Sequence, residues 1–410
     1  MSFQQGLSGL NASSKALDVT GNNVANAGTV GFKSAAAHFS DVYAASLSGG
    51  GASQVGIGAS MSAVVQQFTQ GNITTTNNPL DISINGGGFF RMSQNGAVTF
   101  SRNGQFHLDN AGYIINDKSQ RLTGYPVDTN GNVVPSTPVD LVLSPAPIPP
   151  RATSNPLSGN ITAVVNLDSR DSNPAVGPFN FANPQTYNFS TGLSVYDTLG
   201  VSHTLTTYYV RTGPGAWNVY ATLDGANPQT VGAGMTFNSS GALTSAATVA
   251  VPSFPLTTGA ATPWSPGTID FTGSTQYGSE SGVDGLRQGG YTSGALAGIT
   301  VGSDGVIQGR YSNGQTRALG QVVLASFRAP TGLVNLGGNQ WAESSVSGPP
   351  NVGAPGSGSL GVLNSSTIEE SNVDLTAELV NMITQQRNYQ ASAQTIKTQD
   401  QILQTLVNLR

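Results

Sequence analysis

From residue 375 to residue 410 the chain carries neither glycine nor proline, although the whole sequence of 410 residues holds 52 Gly and 22 Pro. Within that run Leu375, Leu379, Met382, Tyr389, Ala393, Ile396, Leu403 and Val407 recur at four- and three-residue steps, broken only by Gln386 and Asp400. Such spacing draws one apolar stripe along a helix and none along a strand. The run predicts a long C-terminal helix, with Asn372 or Asp374 placed to cap its start and Glu378 in the positive first turn. Its opposite face, Gln385, Asn388, Gln390, Gln394, Thr398, Gln401 and Thr405, is nearly free of charge. A solvated helix face usually carries Lys and Glu pairs. Two readings follow: a neutral solvated face, or a face that packs against other copies of the chain, where unpaired charge is costly.

The N-terminal segment keeps the same rhythm in Phe3, Leu7, Leu10, Leu17 and Val24, with the small Ser14 and Gly21 at the intermediate positions. Gly6, Gly9 and Gly21 each cost about 1 kcal/mol relative to Ala, so this helix is marginal alone and needs a partner. The other terminal helix is the natural one. If the two run antiparallel with Val24 near Leu375, Phe3 lies near Ile396. Roughly 14 residues, or ~21 Å at 1.5 Å per residue, then extend beyond the first helix. Asp400 would fall near the positive end of that helix. Because Gln386 and Asp400 interrupt the seam, a plain two-helix coiled coil is not expected.

Between the ends the pattern is β. Alternating runs such as 205–210 and 322–327 are separated by the hairpin-type dipeptides Asn85-Gly86, Asn95-Gly96, Asn103-Gly104, Asn130-Gly131, Asp224-Gly225, Asp304-Gly305 and Asn313-Gly314. No fixed repeat period emerges. Composition shifts at "SPAPIPPR" (144–151) and "GSTQYGSESGVDG" (273–285) read as boundaries, and "SGPPNVGAPGSGS" (347–359) as a loop before the last helix. The expected fold is multidomain and mainly β, with paired, coiled-coil-like terminal α-helices. Residues 1–24 and 371–410 form the helical part, and 25–70 and 347–370 are connecting segments. An inner, discontinuous β-domain spans 71–145 and 286–346, and a second β-domain, 146–285, is inserted into it.

Charged residues are 9% of the chain, against roughly 25% in an average protein. A net charge of -5 supplies no basic stripe, so nucleic acid is not expected as a partner. Nor does any stretch approach the ~18–20 apolar residues of a membrane span, and the start lacks the basic and apolar regions of a cleaved export signal. With no cysteine there are no disulfides or thiolate metal sites. His38, His107 and His203 show no ligand spacing and read as surface or satisfied histidines. "DTNGN" (128–132) fails the calcium-loop pattern at its glycine and at position twelve, Val139. "NGGGFF" (85–90) lacks the Lys-Ser/Thr of a phosphate loop. With no GxSxG element and no acid pair that the sequence brings together, no catalytic site, cofactor or metal is expected.

Three motifs then acquire meaning together: "NNVANAGTVGFK" (22–33) after the first helix, "LDISINGGGFF" (80–90), and "SNVDLTAELVNMITQQRNYQASAQTIKTQDQILQTLVNL" (371–409). In this order they resemble the axial proteins of the bacterial flagellum, meaning rod, hook and hook-associated proteins. The length, the inserted domain, "SVYDTLG" (194–200) and "GRYSNGQTRALGQVVLASF" (309–327) are similar to the hook branch of that family. The resemblance implies a structural subunit that self-assembles into an extracellular helical tube, the flexible universal joint between rod and filament. It implies as partners further copies of the chain, the rod, hook-cap and hook–filament junction proteins, and the flagellar type III export apparatus, which uses uncleaved signals. Phe3 and Leu7 are similar to the element by which such subunits engage the export gate, and are equally seam residues. Asn22, Asn23, Asn26, Gly28, Thr29, Gly31, Phe32 and Lys33 would form the linker between helices and β-domain. In it the asparagines would end the helix in a left-handed conformation, Gly28 and Gly31 would turn the backbone, and Phe32 would anchor it. The competing readings are a distal rod protein, which usually lacks the inserted domain, and a secreted β-rich adhesin, which leaves the paired helices without a purpose.

Overall fold

A computed structural model of the chain describes residues 2–42, 56–129 and 131–408. It divides into two compact units: Met1–Pro145, Gly298–Arg310 and Thr316–Arg410 form the first, Ala146–Ala297 and Tyr311–Gln315 the second.

The first unit contains both long helices, α1 (Ser2–Ala25) and α2 (Leu375–Asn408). Asp374 caps α2, its Oδ1 accepting from Thr376 N at 2.9 Å and Ala377 N at 3.1 Å, which meets two of the amides that a helix start leaves unpaired. Asn372, the other candidate cap, is used elsewhere. After α1 the chain forms an antiparallel hairpin of strands Ala35–Val42 and Gly58–Gln66. The β-core of this unit is a sheet with the strand order Thr316–Val322, Arg121–Tyr125, Phe89–Gln94, Ala97–Ser101, Gln340–Ala342. One side buries Ile82, Ile84, Phe90, Met92, Leu122, Val322 and Leu324; a smaller cluster joins Phe89, Phe100, Phe327 and Trp341, with Phe68 edge-on to both Phe89 and Trp341.

Part of what the sequence marks as connecting is therefore sheet. Asn351–Gly353 pairs with Leu324–Ser326, Val362–Ser365 with Ile82–Asn85, and Thr367–Glu369 with Ile73–Thr75. Glycine and proline hide these strands from a composition reading. Residues 43–55 of the first connecting segment lie outside the described residues.

The second unit encloses its own core between a five-stranded antiparallel sheet and a four-stranded one, with Tyr209, Trp217 and Val219 facing Ile161, Val165 and Ile269. The expected exit at residue 285 falls inside the strand Gly282–Arg287, which pairs along Ile161–Asn166. The Gly/Ser-rich stretch before it does not act as a spacer, because its hydroxyls are structural: Ser274 Oγ donates to Ala163 O, and Thr275 Oγ1 to Asn166 Oδ1.

Two hairpin dipeptides behave as their chemistry requires. Asn95-Gly96 and Asp224-Gly225 both have positive φ at both positions and close two-residue turns between paired strands. Asn85-Gly86 and Asn103-Gly104 do not make hairpins. The strand before Asn85-Gly86 pairs with the C-terminal segment instead, and Gly104 accepts from Ile82 N so closely that a Cβ would strike Ile82 O. Asn130 lies outside the described residues.

Candidate functional site

Helices α1 and α2 pair antiparallel. Gly6 lies against Ile396, Gly9 against Ser392, and Asn23 Nδ2 reaches Glu378 Oε1 at 3.0 Å, a register within one turn of the expected one. The seam differs from the expected apolar stripe. On α1 the buried positions are Gly6, Ser13, Ala16, Thr20 and Asn23, whereas Phe3 and Leu7 are 46% and 44% exposed and Leu10, Leu17 and Val24 are half-buried. Small side chains let the backbones approach, and a Cβ on Gly6 would come within 3.0 Å of Ile396 Cγ1. On α2, Met382 and Ile396 sit on the half-buried side together with Gln385, Ser392 and Ala393, and Tyr389 lies at its edge. Leu375, Leu379 and Leu403 are exposed, as are Val380 and Ile383, which lie off the 4-3 stripe; the side chain of Val407 lies outside the described residues.

The uncharged face of α2 is also open. Thr398 and Thr405 turn their hydroxyls back to Gln394 O (3.0 Å) and Gln401 O (2.8 Å). With the hydroxyl bonded within the helix, the threonine presents its methyl group outward.

The linker is built by its neighbours. Asn22 and Asn23 lie within α1, and neither has positive φ, so the expected left-handed ending does not occur. Asn23 acts instead as a clasp: its Nδ2 donates to Ala35 O (2.8 Å), and its Oδ1 accepts from Ala35 N (2.9 Å). Asn26 closes the helix by donating to Asn22 O, and Thr29 Oγ1 donates to Asn26 Oδ1. Gly28 has an ordinary φ and open space around it, while Gly31 has φ 69°, donates to Glu369 O, and leaves a Cβ only 2.5 Å from Asn103 N. Glycine is thus required at 31 and not at 28. Phe32 is 9% exposed and lines a groove of about 390 Å³ with Asn22, Asn26, Thr29 and Trp341.

Beneath the linker lies an ionic cluster that the sequence did not announce. Lys33 Nζ donates to Glu369 Oε1 (2.6 Å) and to Thr69 O (2.7 Å), while Arg102 Nη1 donates to Glu369 Oε2 (3.1 Å) and Nη2 to Gly86 O (2.8 Å). Gly71 N adds a further bond to Glu369 Oε1 (2.9 Å). All three charged side chains are buried. Burial pulls the Lys33 ammonium and the Arg102 guanidinium below their ordinary pKa values, against the opposing attraction of Glu369. Next to the cluster, Asn372 Oδ1 accepts from Ser34 N (2.7 Å) and its Nδ2 donates to Gln67 O (2.8 Å). Only Lys33 stands in a motif; the signal that could have found Arg102 and Glu369 is the scarcity of charge in the chain.

Of the histidines, His38 and His107 are exposed. His203 is buried between Asp224 (Nδ1 at 2.7 Å) and Asp197 (Nε2 at 3.4 Å), the aspartate of "SVYDTLG". Among the described residues no group of side chains could hold a metal ion, and no helix is long and apolar enough to cross a membrane.

Helices at both ends, an ordered linker and a β-core interrupted by a second β-unit are the architecture of a flagellar axial protein. Four family models match along the chain: the flagella basal body rod protein (residues 3–33), the flagellar hook protein FlgE/F/G D1 domain (83–160), the flagellar basal body protein FlaE D2 domain (166–291) and the flagellar basal body rod FlgEFG protein C-terminal model (364–409). Among similar proteins, the flagellar hook protein FlgE of Salmonella typhimurium is 41% identical over 419 residues and that of Escherichia coli K12 40% identical over 417, each with complete coverage of both chains. The one from Borreliella burgdorferi is 32% identical over 445 residues, covering 100% of this chain and 99% of its own. The crystal structure of Helicobacter pylori flagellar hook protein FlgE2 shares the fold, with a TM-score of 0.51 at 12% identity over 72% of this chain and 99% of that one. The chain belongs to the flagellar hook protein FlgE family: it is a structural subunit that polymerises in the hook of the bacterial flagellum and serves motility. The distal-rod and adhesin readings give way to this one.

Proposed function

We propose that the exposed apolar side chains of α1 and α2 are the contacts by which copies of this chain assemble into the hook tube, a flexible universal joint between rod and filament. The observation that carries this reading is the set Phe3, Leu7, Leu375, Leu379, Val380 and Ile383, all large, apolar and about half exposed in one chain. They lie at both ends of the helix pair, Phe3 and Leu7 toward Ile396 and Leu375 to Ile383 toward Asn23, and groups of exposed large apolar side chains of this kind mark interaction sites. The threonine-lined face of α2 and the groove beside Phe32 extend the surface toward neighbouring copies. The small-residue linker 22–33 fits between them without bringing charge, since Lys33 is turned inward. Rod, hook-cap and hook–filament junction proteins meet the ends of the tube. The subunit reaches it through the type III export apparatus without a cleaved signal, with Phe3 and Leu7 at the export gate; their exposure leaves them free for that contact. Electron microscopy of the polymerised chain tests the reading: a bent tube with α1 and α2 innermost is the expected result, and a polymer held together by other surfaces would refute it.

A further inference from the structure

The second unit contains a polar cavity of about 430 Å³ that the assembly reading does not use. Its size lies within the ~300–1,000 Å³ of small-molecule sites. On its wall Gln276 is only 7% exposed, yet its side-chain amide makes no hydrogen bond among the described residues. The rest of the residue is packed away, so the amide opens onto the cavity, where its nitrogen and oxygen are free to pair with a ligand. The wall around it is fixed. Gln276 N donates to Gly241 O (2.9 Å), and Asn238 Oδ1 accepts from Ser240 N (3.0 Å) and Ala242 N (2.9 Å), leaving the Asn238 Nδ2 group free. Gly241 has φ 79°, and a Cβ there would come within 2.8 Å of the Tyr277 ring, so that ring, 53% exposed, rests on bare backbone at the cavity's edge. Arg211 is the single cation of the lining, and no carboxylate lines it. Arg211 Nε donates to Gly213 O (3.4 Å), which leaves its two terminal amino groups to face the cavity.

An unpaired amide, a second free amide group, a guanidinium fork, hydroxyls and one open aromatic face suit a ring that is uncharged and covered with hydrogen-bonding groups. We propose that this cavity binds a neutral saccharide, one sugar ring lying on Tyr277 with its hydroxyl or acetamido groups paired to Gln276, Asn238 and Arg211. The site is independent of the helical contacts proposed for assembly.

The test is a titration of the full-length soluble chain, carrying 15N in its glutamine side chains, with N,N′-diacetylchitobiose, cellobiose or sodium sulfate. The expected result is saturable binding of a disaccharide with Kd of about 1 mM and movement of the Gln276 amide signal. Gln276→Ala and Tyr277→Ala should each weaken binding about tenfold. Ser239→Trp, on an exposed turn, should block the cavity without touching the core, so a folding defect in the other variants does not leave the matter open. No disaccharide binding at tenfold above that Kd, binding untouched by Ser239→Trp and Gln276→Ala, or saturable binding of sulfate alone as a simple anion site would each overturn the proposal.

Discussion

Lys33 Nζ meets Glu369 Oε1 at 2.6 Å across 336 residues of chain, and neither side chain touches solvent. The bond fastens the end of the linker to the strand that leads into α2, and Arg102, the other cation on Glu369, lies over the Phe89 ring at 5.5 Å. Removing one member of a buried ionic cluster leaves the others uncompensated, which is more damaging than losing a surface pair.

Glu369→Gln should therefore destabilise the first unit by about 3–5 kcal/mol, read by urea unfolding, because two buried cations lose their counter-charge. Asp18→Asn, which breaks the exposed Lys15–Asp18 pair, should change stability by less than about 0.5 kcal/mol. Equal effects from the two substitutions would contradict the role given to the cluster.

Gly6→Leu should separate the helices, since even a Cβ at that position crowds Ile396, and circular dichroism of the monomer should show the lost helix. Leu379→Asp and Leu403→Asp should leave the monomer spectrum unchanged, both residues being exposed, and should abolish polymerisation if neighbouring copies cover them. Thr398→Asp separates the two readings of the uncharged face: normal tube yield means solvent, loss of yield means a subunit contact.

Burial pushes the Tyr209 phenol up to about 12, with the Thr207 hydroxyl opposing. An unfolded tyrosine ionises near pH ~10, so between these values the unfolded chain has lost a proton that the folded chain keeps. Stability of the second unit should fall as pH rises through that window, by about 2–3 kcal/mol at its upper end. Denaturation curves at neutral and alkaline pH should show the decline in the parent chain and its absence in Tyr209→Phe.

Deleting residues 146–297 and joining Pro145 to Gly298 through a short Gly/Ser linker should leave the first unit cooperatively folded, because its cores draw on no residue of the deleted segment. Residues 311–315, which belong to the second unit, would remain as a surface turn. A shortened chain that does not fold would remove the insertion model; one that folds and polymerises with altered bending would assign a mechanical role to the second unit.

The existence and extent of α1 and α2 were legible because 4-3 spacing and the glycine-free run of α2 admit little else. Which side of each helix faces the other was not. Gly6, Gly9 and Ser392 act by allowing backbones to approach, a property that apolar spacing ranks below Phe3 or Leu379. Asn95-Gly96 was readable as a hairpin because a two-residue turn is set by local φ. Asn85-Gly86 was not, since its preceding strand pairs with residues 362–365 near the other end of the chain. Lys33 was visible within its motif, but nothing local points from it to Glu369.

The glycine and serine seam has a kinetic consequence. Two helices zipped by small residues conceal little oily surface from water, so under the assembly proposed above a free subunit would carry its ends as an unfinished joint, completed only when another copy supplies the missing wall. Two free subunits meeting in solution offer each other incomplete surfaces, whereas the rim of an existing tube offers a finished one. Growth should then show a lag that preformed fragments abolish and a threshold concentration below which monomers persist, so that the place of assembly is chosen by where a rim already stands.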